Sequence, residues 1–242
     1  MGKSTLLKVT AGIEPYDERK ISMGKQVKIC YLPQTPVFEA GTTILRAATE
    51  GNYDELNRWT IEAEAKSMLN QLGFTDYDEK IEHMSGGQKK RVALVRALLT
   101  PADILVLDEP TNHLDNEMSE WLEEYLIQFR GAILMVTHDR YFLDRVVTKI
   151  IELDMGHCTV FSGNYSAYSD KKAMLRDAAI RAYLNQQQEI RHQEAVIAKL
   201  KSFNREKSIK RAESREKMLD KIDRLEKPVQ TNDSMDIRLE PD

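Results

Sequence analysis

Cysteine is scarce in this sequence, and long apolar runs are missing. Among 242 residues the only cysteines are Cys30 and Cys158, both in apolar surroundings typical of strands. Two lone thiols favour a reducing compartment over a disulfide framework or a cysteine metal site. No apolar run approaches the roughly 20 residues that cross a membrane, and no charged leader with an apolar stretch opens the chain. We therefore expect a cytoplasmic protein with no membrane partner.

Glycine and proline are absent from residues 164–227, although the whole chain has 11 glycines and 7 prolines. The same stretch holds 16 Lys and Arg against 10 Asp and Glu, whereas residues 1–163 hold 18 against 25. Composition therefore predicts an acidic domain over 1–163, a basic segment over 164–227 and an acidic tail over 228–242, which we interpret as a linker and the start of a further domain. The charge contrast predicts an anionic partner for the basic segment.

Short apolar runs alternate with helical patterns through residue 163. Residues 104–107, 133–136 and 149–153 predict strands, and the first two are apolar throughout, as in strands covered on both faces. Helices are predicted over residues 5–11, 62–72, 87–99, 118–129 and 140–147. This alternation predicts an α/β domain with a mainly parallel sheet.

The basic segment predicts a hairpin of two long antiparallel helices. Apolar residues recur on one face of each helix: Ile190, Ile197 and Leu200 in the first, Met218, Ile222 and Leu225 in the second. We expect the turn near residues 204–208 and the end of the second helix at Pro228. Residues 235–239 are interpreted as the start of a further strand.

The first residues fit the end of a phosphate-binding loop. Gly2, Lys3, Ser4 and Thr5 match the last part of the pattern G-x-x-x-x-G-K-[ST]. A triphosphate needs N–H donors at a helix N-terminus, a cation for its β and γ oxygens, and a hydroxyl for Mg²⁺. Lys3 and Ser4 would supply the last two, although chance also explains so short a match.

Two adjacent carboxylates follow the apolar strand 104–107. A buried parallel strand delivers such residues to the sheet edge where α/β proteins bind ligands. Asp108 would hold Mg²⁺, directly or through water, and Glu109 would orient and polarise an attacking water. The alternative is an acidic pair that caps a helix before a turn.

A second glycine-containing motif, Ser85-Gly86-Gly87-Gln88, precedes a strongly helical run. Ser85 is expected to cap the helix, and the glycines leave its first N–H groups accessible. A helix N-terminus with a hydroxyl can bind an anion. An ordinary capped helix is the alternative.

Six motifs follow one another in an order that resembles the ATP-binding cassette superfamily, over about residues 1–163. They are Gly2–Thr5, Gln34 after Tyr-Leu-Pro, Ser85–Gln88, Asp108-Glu109, Asp115 in Asn-His-Leu-Asp, and His138 in Val-Thr-His-Asp. The resemblance implies a P-loop cassette that binds ATP and Mg²⁺ and hydrolyses ATP.

The resemblance also implies roles for single residues. Gln34 would sense Mg²⁺ and the attacking water, and His138 would contact the γ-phosphate. Ser85–Gln88 would be the signature that touches the γ-phosphate of ATP held by a partner cassette. Asp115 would lie at the seam between the two cassettes.

Residues 110–115, the sequence Gly-Asn-Tyr-Ser-Ala-Tyr at 163–168 and the basic hairpin resemble the ABC-F class. Its members carry two cassettes joined by a helical linker and act on the ribosome in translation or antibiotic resistance. The implied partners are a second cassette and the ribosome with its tRNA. Basic residues near the predicted turn are the candidate RNA contacts, namely Arg205, Lys207, Lys210, Arg211 and Arg215.

This resemblance predicts that the chain is a partial first cassette plus the linker of a longer protein, and that alone it is a poor ATPase. Two other functions stay open. The chain could be the ATPase subunit of a membrane transporter, which would have no need of a basic hairpin of 64 residues. It could also be a non-enzymatic interaction module whose hairpin is a solvated helix pair.

Overall fold

The computed structural model describes residues 2–15, 24, 26–52, 57–154, 156–203 and 205–227. The predicted strand at 235–239 and the predicted linker after Lys227 lie outside these residues. The chain folds as two units, residues 1–166 and residues 167–242. Among the described residues, no helix has the length and apolar character that crossing a membrane requires.

A three-stranded parallel sheet lies in the first unit. Its strands are β1 (Ile29–Leu32), β2 (Ile104–Asp108) and β3 (Ala132–Val136), in the order β1-β2-β3. Leu105 of β2 lies opposite Cys30 on one side and Ile133 on the other. These parallel pairings confirm the predicted α/β sheet.

The two predicted apolar strands differ in burial. Four residues of β2 are buried, whereas β3 is half-buried or exposed along its whole length. The expectation that residues 133–136 are covered on both faces is therefore wrong. The reason is position, because β3 is an outer strand of the described sheet and β2 is the central one.

The described residues of the first unit form the helices α1 (Lys3–Thr10), α2 (Ile44–Thr49), α3 (Arg58–Gln71), α4 (Gly86–Leu99), α5 (Asn116–Gln128) and α6 (Arg140–Val146). A short 3₁₀ turn at Ile81–His83 precedes α4. Side-chain oxygens of Ser85, Asp115 and Asp139 accept N–H bonds from the first turns of α4, α5 and α6. Such caps satisfy backbone donors that a helix leaves unpaired at its start.

Helix α4 contributes eight buried residues, more than any other described helix of this unit. Its core residues, Val92, Ala93, Leu94 and Val95, are at most 2% exposed. They belong to one apolar cluster with Leu105 and Leu107 of β2 and Leu122 of α5. Close packing of this kind fixes the start of α4 relative to the end of β2. Both places carry predicted site residues.

A two-stranded antiparallel ribbon completes the first unit. It consists of β4 (Lys149–Asp154) and β5 (His157–Ser162). The predicted strand at 149–153 is confirmed, and β5 adds a strand that apolar periodicity did not single out. Cys158 on β5 is exposed, Cys30 on β1 is half-buried, and both thiols are free.

The second unit contains most of helix α7 (Tyr165–Ser202) and all of α8 (Glu206–Leu219). Arg215 donates to Gln193, and Gln186 donates to the carbonyl of Asp223, so the two arms run antiparallel. The apolar contact uses Ile190, Ile197 and Ala212, which are at most 6% exposed. These contacts confirm the predicted antiparallel hairpin.

The second arm is less helical than the sequence predicts. Helix α8 ends at Leu219, not at Pro228, and the predicted face of Met218, Ile222 and Leu225 is 37–69% exposed. Gln186 of α7 explains the early end. Its side-chain amide donates to the carbonyl of Asp223 and accepts the N–H of Leu225. These bonds satisfy backbone groups outside a helix.

Candidate functional site

The phosphate-loop residues and the strand carboxylates meet in the structure. Gly2, at φ 114°, precedes α1, and Lys3 and Thr5 lie exposed in its first turn. The hydroxyl of Ser4 donates to Oδ1 of Asp108 at 3.2 Å, although 104 positions separate the two in sequence. The helix start that would hold phosphates therefore adjoins the end of β2.

Asp108 keeps one oxygen without a partner. Its side chain is 1% exposed, and Oδ2 is buried with no hydrogen bond among the described groups. A buried carboxylate oxygen normally has a hydrogen bond or a metal ion. Together with the Ser4 hydroxyl, it offers the hard oxygen ligands that Mg²⁺ prefers beside substrate phosphates. Mg²⁺ bound there would neutralise charge that develops on the phosphate oxygens.

Glu109 adopts a backbone conformation that is uncommon for its residue type. Its φ is 53°, in the left-handed region, and its N–H donates to the carbonyl of Val136 at 2.8 Å. Such strain persists only where the surroundings determine it, and it concentrates at functional sites. Its carboxylate caps no helix, because Asp115 caps the helix that follows. The capping alternative for this acidic pair is therefore wrong.

His138 contacts both oxygens of the Glu109 carboxylate. Its backbone N–H donates to Oε2 at 3.3 Å, and its ring Nε2 lies 3.4 Å from Oε1. The carboxylate is buried at 8% exposure, whereas the ring is 86% exposed. The buried Glu109 carboxylate can accept a proton from a water. The exposed His138 ring beside it is open to contact with an anionic group.

Gln34 is exposed and makes no hydrogen bond within the described residues. The preceding residue, Pro33, does reach the site. Its carbonyl accepts from Lys90 Nζ at 2.6 Å, and Lys90 also donates to the carbonyl of Asp108 at 2.6 Å. Lys90 thus links the segment before Gln34 to the end of β2. Burial lowers the pKa of Lys90 to about 8, against the opposing effect of the Asp108 and Glu109 carboxylates.

Ser85 and Gln88 form a reciprocal cap at the start of α4. The Ser85 hydroxyl accepts the N–H of Gln88 at 3.3 Å, and the Gln88 side chain accepts the N–H of Ser85 at 2.9 Å. The predicted Ser85 cap is confirmed. Gly86 is exposed, and a Cβ on Gly87 would lie 2.9 Å from the ring of His113. Only glycine therefore allows residue 113 to pack so closely on this helix start.

Asp115 lies at the start of α5, where its Oδ1 accepts the N–H of Met118 at 2.9 Å. No hydrogen bond of the described residues joins Asp115 or Ser85–Gln88 to Ser4, Asp108 or Glu109. Within one chain the residues therefore form two groups: the Ser4–His138 group at the sheet edge, and the two capped helix starts. The resemblance implies that Ser85–Gln88 would contact the ATP of a partner cassette and that Asp115 would lie at the seam between the cassettes.

The predicted RNA contacts lie near the turn of the hairpin. Arg205, Lys207 and Arg211 are exposed and form no ion pair with any described residue. Lys210 pairs with Glu206 at 3.1 Å, and Arg215 donates to Gln193. Asn204, at the turn itself, lies outside the described residues. Three of the five predicted contacts are thus directly available to a partner.

Two residues near the site were not singled out from the sequence. Lys90 is one, and the other is Tyr31, whose buried hydroxyl has no hydrogen-bond partner among the described groups. Burial, and then the neighbouring Asp108 carboxylate, raise the pKa of Tyr31 to about 12. Lys90 lies three and four positions before the apolar residues Ala93 and Leu94, and therefore on the same face of the helix. This helical spacing is the signal that would have predicted its burial. No comparable signal marks Tyr31.

The parallel sheet, the helix start at Gly2 and the Ser4–Asp108 contact define a P-loop nucleotide-binding domain of the ATP-binding cassette type. Two family models, both described as ABC transporter, match residues 1–112 and 151–239. The chain belongs to the ATP-binding cassette superfamily, and its similarity to EttA, YheS and YkpA, at 37–38% identity, places it in the ABC-F class.

Curated relatives and a solved structure agree with this membership. The uncharacterized ABC transporter ATP-binding protein YfmR of Bacillus subtilis (strain 168) is 37% identical over 252 residues, which cover 88% of this chain and 40% of that protein. The energy-dependent translational throttle protein EttA of Haemophilus influenzae (strain ATCC 51907 / DSM 11121 / KW20 / Rd) is 38% identical over 208 residues, covering 71% and 37%. The structure of the archaeal ribosome recycling factor aABCE1 in complex with the ribosomal stalk protein aP1 matches with a TM-score of 0.57 at 28% identity, covering 73% of this chain and 35% of that chain. The chain spans about 40% of the length of the curated relatives.

Proposed function

We propose that this chain binds MgATP and contributes to its hydrolysis in a protein that acts on the ribosome. The main support for ATP hydrolysis is the contact of Ser4 with Asp108, which lies beside the strained and buried Glu109. Lys3 would hold the β and γ oxygens, and Ser4 and Asp108 would hold Mg²⁺. Gly2 and Thr5 complete the helix start on which the phosphates would lie.

Glu109 is the proposed general base. Its carboxylate is fixed by His138 and largely shielded from solvent, so it can orient a water and accept its proton during attack on the γ-phosphate. His138 would contact the γ-phosphate through its exposed ring, and Gln34 would orient the water and Mg²⁺. Ser85–Gln88 and Asp115 would complete the ATP site of a second cassette.

The ribosomal part of the proposal rests on the second unit. Exposed Arg205, Lys207 and Arg211 form a basic turn on a long hairpin, and structured RNA is contacted mainly through its phosphates and shape. The names of two similar proteins, a translational throttle and a ribosome recycling factor, support the same assignment. A ribosomal role would place the protein in the cytoplasm.

Co-sedimentation with ribosomes tests the proposed partner. The two-cassette protein of which this chain is proposed to be a part is purified with Glu109→Gln, mixed with ribosomes and ATP, and centrifuged through sucrose. We expect the protein in the ribosomal pellet with ATP and much less with ADP, because the hydrolysis-deficient variant keeps ATP bound. Absence from the pellet in both nucleotides would refute the ribosomal assignment and favour a transporter subunit. Nucleotide-independent pelleting without any ATP turnover by the parent would favour an interaction module.

A further inference from the structure

Lys90 is an unusual lysine because its charged end lies inside the cassette. The residue is 3% exposed and belongs to α4, two positions after Gln88. Its ammonium group lies 2.6 Å from the carbonyl of Pro33 and 2.6 Å from that of Asp108. Both distances are short for hydrogen bonds from nitrogen, as expected when the donor is charged.

The two carbonyls precede two residues of the proposed mechanism. Pro33 is followed by Gln34, and Asp108 is followed by Glu109. An ammonium has three donors and no acceptor, so one group can hold both carbonyls at once. Lys90 therefore joins the start of the Gln34 segment, the end of β2 and the signature helix α4 at a single nitrogen.

Burial makes this arrangement costly. A charged group removed from water is tolerated when hydrogen bonds compensate it, and an apolar side chain of similar volume would fill the same core without that cost. The buried neighbours of Lys90 on α4 are apolar, among them Val92, Ala93 and Leu94. A stability role alone therefore does not account for a lysine at this position.

We propose that Lys90 is a positioning residue for ATP hydrolysis, which fixes the distance between the Gln34 segment and the Glu109 carboxylate. The inference rests on the proposed ATPase function. It assigns Lys90 no contact with nucleotide, because ATP binding would depend on Gly2–Thr5. Loss of its ammonium should misplace Gln34 relative to Glu109 during the chemical step and leave ATP affinity nearly unchanged.

The kinetic test compares Lys90→Met with the parent, both in the two-cassette protein of which this chain is proposed to be a part. Methionine keeps an unbranched apolar stem that ends at Cε, one atom shorter than lysine, and removes all three donors. Displacement of a catalytic group by about 1 Å costs roughly 100-fold in rate. We expect kcat for ATP to fall about 10- to 100-fold while KM stays within about twofold. Lys90→Arg keeps the charge and the N–H donors, and it should recover a substantial part of kcat.

Leu94→Ala provides the matched control for loss of stability. Leu94 lies one turn further along α4, is 1% exposed and contacts neither carbonyl. It should lower the Tm at least as much as Lys90→Met and leave kcat near the parent value when assayed well below both Tm values. If Lys90→Met does not fold, Lys90→Gln replaces it, because its shorter amide cannot reach both carbonyls.

The values of kcat for these variants distinguish a positioning role from a purely structural one. A selective fall in kcat, with recovery in Lys90→Arg, supports the positioning role. A kcat within twofold of the parent, or an equal fall in Leu94→Ala, overturns it. The proposed ATPase function fails separately, if the parent protein has no ATP turnover that Glu109→Gln abolishes.

Discussion

Oε1 of Glu109 lies 3.4 Å from Nε2 of His138, and the backbone N–H of His138 donates to Oε2 of the same carboxylate. One residue thus holds both oxygens of the proposed base, once through its ring and once through its backbone. Only the ring contact depends on the side chain. The two contacts can therefore be separated by mutation.

His138→Ala should slow ATP hydrolysis less than Glu109→Gln. The alanine variant loses the ring, and with it the proposed γ-phosphate contact, but its backbone N–H still orients Glu109. We expect kcat to fall by about 10²-fold, at the lower end of acid–base contributions. Steady-state phosphate release measures this. A variant as inactive as Glu109→Gln would mean that the His138 ring is as important for the chemistry as the carboxylate.

Lys3 and Ser4 should differ in their dependence on Mg²⁺. Lys3→Ala removes a charge from the β and γ oxygens, so ATP affinity should fall about tenfold or more whether Mg²⁺ is present or chelated. Ser4→Ala removes a hydroxyl that donates to Asp108, so its effect should appear only with Mg²⁺. Calorimetric titration with ATP, in Mg²⁺ and in EDTA, separates the two. Equal losses for Ser4→Ala in both buffers would exclude Ser4 as a metal ligand.

The basic turn should determine how ribosome binding responds to salt. If about four phosphates are neutralised, log K falls with log salt at a slope near −3. Replacing four basic residues of the turn by Gln should flatten this slope and weaken ribosome binding, while ATP affinity stays unchanged. The four residues are Arg205, Lys207, Lys210 and Arg211. The matched control places Gln at four exposed basic positions away from the turn, Arg181, Arg191, Lys217 and Arg224.

The control separates local contacts from total charge, since both variants lose four positive charges. Equal effects on the slope would mean that the hairpin acts only through its net charge. An unchanged slope and affinity in the turn variant would leave the hairpin as a spacer between other parts of the protein.

Cys30 and Cys158 should react with iodoacetamide at different rates. Burial raises the pKa of the Cys30 thiol, which also donates to the carbonyl of Ala97, whereas Cys158 is exposed. Because the thiolate is the nucleophile, Cys158 should be alkylated about tenfold faster or more at pH 8. Peptide mapping of a time course measures both rates, and Cys158→Ser isolates Cys30. Equal rates in the native protein would contradict the placement of Cys30 on β1.

Much of the first unit follows from the sequence. The apolar run at 104–107 became β2, and the motif at Ser85 became the reciprocal cap of α4. Such features are local, because apolar periodicity and helix caps depend on residues only a few positions apart in sequence. Helix α5 was likewise predicted within a turn of its observed ends, and the predicted start of α3 is four residues late.

The remaining features depend on contacts between distant residues. Lys90 bridges carbonyls that lie 57 and 18 positions away, and no periodicity records such a contact. The early end of α8 depends on Gln186, which lies 37 positions from Asp223. The half-buried state of β3 depends on its place in the sheet order. Sequence patterns indicate which residues are apolar or helical, but tertiary pairing decides where they lie.

ATP hydrolysis with Glu109 as the base can be followed in a single turnover, by comparing Glu109→Gln with the parent in the two-cassette protein. Radiolabelled ATP is bound to the parent and to the variant in Mg²⁺, and bound ATP and released phosphate are followed over time. Gln keeps the size of the side chain but cannot accept the proton. We expect the Glu109→Gln variant to bind ATP with near-parental affinity and to release phosphate about 10²- to 10⁴-fold more slowly than the parent. Phosphate release from Glu109→Gln at the parental rate would contradict this role of Glu109.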